Sequence, residues 1–370
     1  MKKALFIFGT RPEAIKMAPV IRCFRASGKI TPVVAVTGQH REMLDQVLEF
    51  FDVTPDFDLD LMTQGQSLCQ LTARAIAGLE DILQSEKPGI VFVQGDTTTA
   101  FAGAYAAFQN RIPVAHIEAG LRTGNRHEPF PEEINRQLIG TMADLHLCPT
   151  QLACSNLTAE GKTDGIHLVG NTVIDALLEG LRILGQEWKP AVPALEAMNN
   201  PDGAVLITIH RRESFGDALH GILNAIKRLA EKHPQMSFVF PVHPNPNIRR
   251  PVFDFLGEVA NLSLTEPLDY PHFIWAMSKS RLILTDSGGV QEEAPTLGIP
   301  VLVARNVTER QEGVDAGVAT LVGTSENRIY DTACAALSSA PKHKLANPYG
   351  DGTTSAQILS ICLAALADPS

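Results

Sequence analysis

The chain has 370 residues, 45% of them apolar and 6% aromatic, with a formal charge of −10. That length exceeds one ordinary core and suits two domains, and few aromatics among many small aliphatics favour α/β layers over a β-sandwich. The acidic balance argues against nucleic acid as a partner, and no apolar run approaches the roughly 18 residues that span a bilayer.

Short apolar runs alternate with helical patterns from the start. The opening MKKALFIF has an apolar core of only Ala4–Phe8 before Arg11 and Glu13. This is shorter than the roughly 7–15 residues of a secretory signal, so the segment reads as a first strand and the chain as cytoplasmic. Further strands are expected at Val33–Val36, Ile90–Val93, Pro113–Ile117, Leu145–Cys148 and Ile166–Val169, with helices over Ala14–Ala26, Arg41–Phe51, Leu68–Leu83, Thr98–Gln109 and Glu132–Ala143. A helical pattern, Val173–Leu184, and a Pro- and Asn-rich stretch, Pro190–Pro201, separate the halves. A hinge near Gly170–Asn171 divides a domain 1–169 from a domain 170–355. The second half repeats the theme with strands at Ala204–Thr208, Ser237–Phe240, Leu262–Leu264, Leu282–Leu284, Pro300–Val303 and Thr320–Val322. Such alternation implies parallel sheets with helices on both faces.

Nearly every unusual motif follows a strand: GTRPE, TGQHREM, QGDTTT and IEAGLR in the first half, HRRES, PVHPNP, TDSGG and RNVTER in the second. Open parallel sheets bind ligands at the carboxyl ends of their strands. Two such sheets facing each other would line one cleft with both sets.

The richest segment is TDSGGVQEEAPTLGIP, residues 285–300. Ser287, Gly288 and Gly289 turn a strand into a helix start, where unpaired N–H groups and the helix dipole suit phosphate. Glu293 lies about one turn into that helix, where a carboxylate can accept from ribose hydroxyls. Together they point to a nucleotide diphosphate, although a plain strand-to-helix turn would also explain the glycines. In GTRPE, Thr10 and Glu13 fit a capping box and Pro12 the first helical position, while Arg11 and Lys16 read as anion contacts. Asp96 either caps the helix beginning near Thr97 or acts chemically. Glu118 ends a strand where no turn requires a carboxylate. Of Glu132 and Glu133, one suffices to complement a helix dipole. Three acids converging on one cleft cannot all ionise cheaply, so one or more of their pKa values should rise, partial burial raising a carboxyl by about 1–3 units; such a cluster provides a general acid and base near neutral pH. His210, beside Arg211 and Arg212, suits phosphate binding or proton transfer; His243 has a similar address without adjoining charge. The DxD spacing in Asp56–Asp60 reads as a solvated acidic connection, no HExxH or paired zinc spacing occurs, and no metal is expected. The six cysteines form no CxxC pair and read as reduced core thiols.

In order, GTRPEAIKMAP, GDTTT, HIEAGLRT, PEEINR, GNTVIDAL, HRRESFG, TDSGGVQEEAP and NPYGDG resemble the bacterial non-hydrolysing UDP-N-acetylglucosamine 2-epimerases over nearly the whole chain. The resemblance implies a GT-B-like fold of two Rossmann-like domains facing a central cleft, with the C-terminal helix, 356–370, crossing back onto the first domain. It also implies a homodimer without a cofactor that interconverts UDP-GlcNAc and UDP-ManNAc. In that family UDP leaves C1 as the C2 proton is removed, giving 2-acetamidoglucal, and adds back while C2 is reprotonated from the opposite face. Carried over by motif, Asp96, Glu118 and Glu132 are the catalytic acids and His210 the catalytic histidine near the diphosphate. Arg11, Lys16, Ser287, Gly288, Gly289, Glu293 and Arg310 match nucleotide contacts, and Phe273 a uracil-side contact. Gln39 and His243 match a regulatory second UDP-GlcNAc site. Leu268, Glu42, Gly65 and Arg126-His127-Glu128 depart from some relatives near the uracil, at the regulatory site and in a closing loop. A hydrolysing epimerase, a retaining glycosyltransferase of the same fold and a non-catalytic UDP-sugar sensor are the alternatives.

Overall fold

The computed structural model describes residues 1–38, 41–63, 65–211, 214–339 and 345–367. The chain divides into two units, one of Met1–Glu179 with Tyr349–Ser370 and one of Gly180–Pro348. In chain order the first unit contains β1 (Lys2–Phe8), α1 (Arg11–Ser27), β2 (Ile30–Val36), α2 (Arg41–Phe50), β3 (Phe57–Asp58), α3 (Leu68–Glu86), β4 (Ile90–Gln94), α4 (Thr98–Gln109), β5 (Val114–Ile117), α5 (Glu132–Met142), β6 (Leu145–Cys148), α6 (Gln151–Ala159) and β7 (Ile166–Leu168). The helix α7 (Thr172–Leu184) carries the chain onward. The second unit contains β8 (Ala204–Thr208), α8 (Asp217–Lys232), β9 (Ser237–Pro241), α9 (Pro246–Leu256), β10 (Leu262–Thr265), α10 (Tyr270–Lys279), β11 (Leu282–Thr285), α11 (Gly288–Glu293), β12 (Val301–Val303), α12 (Gln311–Asp315), β13 (Ala319–Leu321) and α13 (Glu326–Ser338). Last comes α14 (Thr354–Ala367), which packs on α1, as a C-terminal helix returning to the first domain should.

Both sheets are parallel and doubly wound. Among the described residues their orders are β3-β2-β1-β4-β5-β6-β7 and β10-β9-β8-β11-β12-β13. Each starts at its centre, runs to one edge, then crosses to the other side. The switch points lie between β1 and β4 and between β8 and β11, where diverging connections leave a crevice at the strand ends.

Strand periodicity divides the first core between two faces. Leu5 and Ile7 of β1 pack with Ala75 and Leu79 of α3 and Ala100 and Ala104 of α4. Phe6 faces the other way, stacked on Phe92 at 4.7 Å and edge-on to Phe24 of α1 at 5.3 Å. In the second unit Val205, Ile207 and Ile209 meet the apolar face of α8, Leu219, Ile222, Leu223 and Ile226, and that of α13.

Several expectations need correction. Phe57 and Asp58, read as part of a solvated acidic connection, form the short edge strand β3 paired with Ala35 and Val36. Asp58 pairs with Arg41 at 2.7 Å, and Asp56 Oδ2 accepts from the Val34 N–H at 2.8 Å. The run beginning at Pro300 enters the sheet at Val301, because proline has no N–H for the ladder. Pro12 occupies the second helical position of α1, after Arg11. Cys69 is exposed in the first turn of α3 and so is not a core thiol, whereas Cys148, Cys154 and Cys362 are buried.

Gly170 and Asn171 lie within the first unit and receive the returning chain. Asn171 N–H donates to the Tyr349 carbonyl at 2.7 Å, and Asp175 of α7 accepts from the Ser355 N–H at the start of α14 at 2.7 Å. Gly170 has φ +91°, and a Cβ there would stand 2.8 Å from Thr354 Oγ1. The Gly170→Ala variant should therefore lose about 1–3 kcal/mol of stability, measured by urea unfolding, through backbone strain and displacement of α14.

Candidate active site

In the first unit the candidate side chains Lys16, Asp96 and Glu118 gather at the switch point. The loop after β1 closes with a true capping box: Thr10 caps α1, and Glu13 returns to the N–H groups of Gly9 and Thr10 at 3.0 and 2.8 Å. Glu13 also accepts from Thr97 Oγ1 at 2.6 Å, which ties this loop to the one after β4. Burial pushes the Glu13 carboxyl up, while the hydrogen bonds from Thr97, Gly9 and Thr10 pull it back.

Thr97, rather than Asp96, caps α4, accepting from the Ala100 N–H at 3.0 Å. This removes the capping explanation for Asp96. Its Oδ2 instead accepts from Arg136 Nη2 of α5 at 2.5 Å. Burial lifts the Asp96 carboxyl above the ordinary aspartate range; the Arg136 charge opposes this, and the Glu118 charge adds to it.

Glu118 directly follows β5 with φ +64°, a left-handed conformation that disfavours a side chain of this kind and needs surrounding structure to hold it. It is buried. Lys16 Nζ, one turn into α1, donates to both of its oxygens at 2.6 Å, and Gln94 at the end of β4 donates to Oε2. Lys16, read as an anion contact, is thus also the counter-charge of an acid.

Of the two acids opening α5, Glu133 is fully buried and accepts from the Thr123 and Gly124 N–H groups at 3.1 and 3.3 Å, closing the loop before the helix. Glu132 is only partly buried. It lies one turn before Arg136 on the same side of α5, toward the side that reaches Asp96.

The second unit repeats the arrangement with different chemistry. Asp286, fully buried after β11, accepts from the His210 and Arg211 N–H groups, both after β8, at 3.0 and 2.8 Å, and from Ser214 Oγ at 2.9 Å. His210 Nδ1 lies 3.0 Å from its Oδ1. Burial pushes the Asp286 carboxyl up, but His210 and the two N–H groups outweigh it and hold it below the usual aspartate range. His243, after β9, stacks on His210 with ring centroids 6.0 Å apart. Burial, then the His210 charge, holds its imidazole below the ordinary value.

Ser287 is the N-cap of α11, with its N–H turned back to Thr285 Oγ1 at 2.9 Å. Gly288 lies against Arg310, where a Cβ would meet the guanidinium carbon at 3.3 Å, and a Cβ on Gly289 would meet Glu293 Oε2 at 3.7 Å. Arg310 donates to the buried Glu292 at 2.8 Å. Glu293 is buried in the last turn of α11. Phe273 is partly exposed on α10, and Arg11 opens α1. Gln39, matched to a regulatory site, and Arg212, a suggested source of positive charge, lie outside the described residues.

Sequence reasoning missed Asp286, Arg136, Gln94 and the bridging role of Glu13. Asp286 had a visible signal, an acid directly after an apolar strand inside the most informative motif. Arg136 and Gln94 had none, since their value comes from elements remote in sequence.

Two Rossmann-like units of GT-B-like construction, with acids at one switch point and a histidine beside a glycine turn at the other, define an enzyme. The family model for UDP-N-acetylglucosamine 2-epimerase matches residues 22–363, and the chain belongs to that family. It is 47% identical to the UDP-N-acetylglucosamine 2-epimerase of Escherichia coli over 96% of this chain and 97% of that one. It is 49% identical to that of Salmonella borreze over 97% of each. Its structure is similar to that of the Neisseria meningitidis UDP-GlcNAc 2-epimerase bound to UDP-GlcNAc, with a TM-score of 0.84 and 45% identity, covering 98% of this chain and 100% of that one. The Methanocaldococcus jannaschii enzyme in complex with UDP-GlcNAc and UDP gives 0.79 and 33%, covering 98% and 99%.

Removing the Arg136 charge takes away the largest influence that lowers the Asp96 pKa, leaves the smaller one of Lys16, and leaves burial and the Glu118 charge that raise it. In Arg136→Met the Asp96 carboxyl should therefore hold its proton to a higher pH than in the parent, as read by carbon-13 NMR titration of the signal lost in Asp96→Asn.

Proposed function

We propose that this protein interconverts UDP-GlcNAc and UDP-ManNAc at C2 without releasing free sugar, by elimination of UDP and its re-addition. The observation that carries the reading is the carboxyl pair Asp96 and Glu118 at the ends of adjacent strands, each beside a cation from another segment. Such a pair gives two proton-exchanging groups in different surroundings, which is what inversion at carbon requires. The family membership and the relatives that hold UDP-GlcNAc or UDP support the substrate.

C2 of the sugar carries no adjacent carbonyl, so its proton becomes removable only as positive charge grows at C1. Breaking the C1–O bond sends its electron pair to the diphosphate; breaking C2–H gives the proton to one carboxylate and forms the C1–C2 double bond. Return of a proton to the other face of C2 and of UDP to C1 completes the epimerisation. Cations and N–H groups at the departing diphosphate therefore assist the chemical step itself, and the Ser287–Gly289 turn, His210 and Arg310 are the groups assigned to it, with Glu293 on the ribose, Phe273 on the uracil side and Arg11 and Lys16 as further anion contacts. Glu132 joins Asp96 and Glu118 as the third acid.

The reading includes a homodimer. Its support is an apolar strip on α4, where Tyr105 and Phe108 are 37% and 54% exposed, continued by Leu138 of α5 at 44%. The cysteines, all free thiols, support a reducing compartment, the cytoplasm. His243 and Gln39 are assigned to a regulatory site for a second UDP-GlcNAc.

In deuterated water, NMR should show UDP-ManNAc forming from UDP-GlcNAc with deuterium at C2; free ManNAc as main product would instead indicate a hydrolysing enzyme. Asp96→Asn and Glu118→Gln should each lower kcat by at least about 100-fold while UDP still binds, whereas a sensor would lose nothing. Phe108→Glu should shift sedimentation from dimer toward monomer.

A further inference from the structure

Asp286 does more than close a turn. Turn closure needs an acceptor for the N–H groups of His210 and Arg211 and for Ser214 Oγ, and Asp286 provides it. The same carboxylate also lies 3.0 Å from His210 Nδ1. An ionised carboxylate can only accept, and this one is held ionised by burial being outweighed by its donors. The proton between them therefore sits on Nδ1. The His210 side chain is 36% exposed, so Nε2 is the nitrogen left to meet a ligand. Among the described residues, Asp286 at Nδ1 and His243 stacked on its face meet the ring, and Arg211 adjoins it in sequence.

We propose that Asp286 is a positioning residue: it holds the Nδ1–H of His210, sets the ring against His243 and is the counter-charge for the doubly protonated ring, so that Nε2–H is presented to the diphosphate oxygen. This rests on the epimerase reading for its ligand. As the C1–O bond breaks, its electron pair settles on that oxygen, and an Nε2–H donor on a charge-balanced imidazolium stabilises it more than it stabilises the intact substrate. The C2 proton goes to a carboxylate of the first unit and is not handled by this pair. A carboxylate orienting an imidazole in this way affects turnover more than binding.

The test combines nitrogen-15 NMR of histidine-labelled protein with kinetics of Asp286→Asn. The His210 signals are identified by their loss in His210→Asn. In the unaltered protein, His210 should be protonated at Nδ1; a proton on Nε2 with a bare Nδ1 overturns the proposal whether or not any variant folds. In Asp286→Asn, which keeps an oxygen for the N–H groups but loses the charge, the His210 nitrogen shifts should change. Its kcat should fall about 100-fold with KM within about threefold. Unchanged shifts, or kcat within about threefold of the parent, overturn the proposal. Absence of deuterium exchange in the unaltered protein would defeat the epimerase reading instead, and leaves the NMR result to decide the Asp286–His210 arrangement by itself.

Discussion

A buried carboxylate that gathers the N–H groups of one loop and a hydroxyl beyond it is the constraint on which both units depend. Glu13 does this at the first switch point, receiving Gly9, Thr10 and Thr97. Asp286 does it at the second, receiving His210, Arg211 and Ser214. Parallel strands end with their N–H and C=O groups unpaired just where the chain must turn. Diverging connections at a switch point leave no neighbouring strand to pair them. An acid at that position supplies the acceptors and fixes two separate loops in one geometry. Paired threonines reinforce each junction: Thr37 just after β2 with Thr99 of α4 at 2.8 Å, and Thr208 of β8 with Thr285 of β11 at 2.6 Å.

On that frame the two units carry different side chains. The first presents acids whose charges are individually balanced: Glu118 by Lys16, and Asp96 by Arg136. Their surroundings differ, since Glu118 is buried in a left-handed conformation against a lysine and a glutamine, while Asp96 is a quarter exposed beside an arginine. Two carboxyls in unlike settings can hold unlike protonation states. The second unit presents donors: an imidazole, a glycine turn and an arginine anchored by Glu292. Against a net charge of −10, the positive groups must be local and held in place, and salt bridges to buried acids do this.

The alternation of elements was legible because apolar runs bounded by turn residues have few other solutions. Most strand and helix positions agree with the structure within a few residues. The exceptions have specific causes. β3 consists of two residues in an acidic stretch and is held by register with β2 and the Asp56 contact, neither of which leaves a pattern in sequence. Thr97 displaced Asp96 as the cap because the helix begins one residue later than a cap at Asp96 would require. Cys69 stands in an apolar neighbourhood of sequence yet on the outer side of α3.

By itself the sequence determined that the chain forms two α/β units, that its polar motifs stand at strand ends, and which family it resembles. These follow from local periodicity and from turn chemistry, which act over a few residues. Only the tertiary structure decided which acid is paired with which cation, that Glu133 closes a loop while Glu132 remains partly exposed, and that Asp286 supports His210. The longest-range of those choices depend on strand order, because crossing from one sheet edge to the other brings His210 to Asp286 and Lys16 to Glu118, 76 and 102 positions apart, within hydrogen-bonding distance.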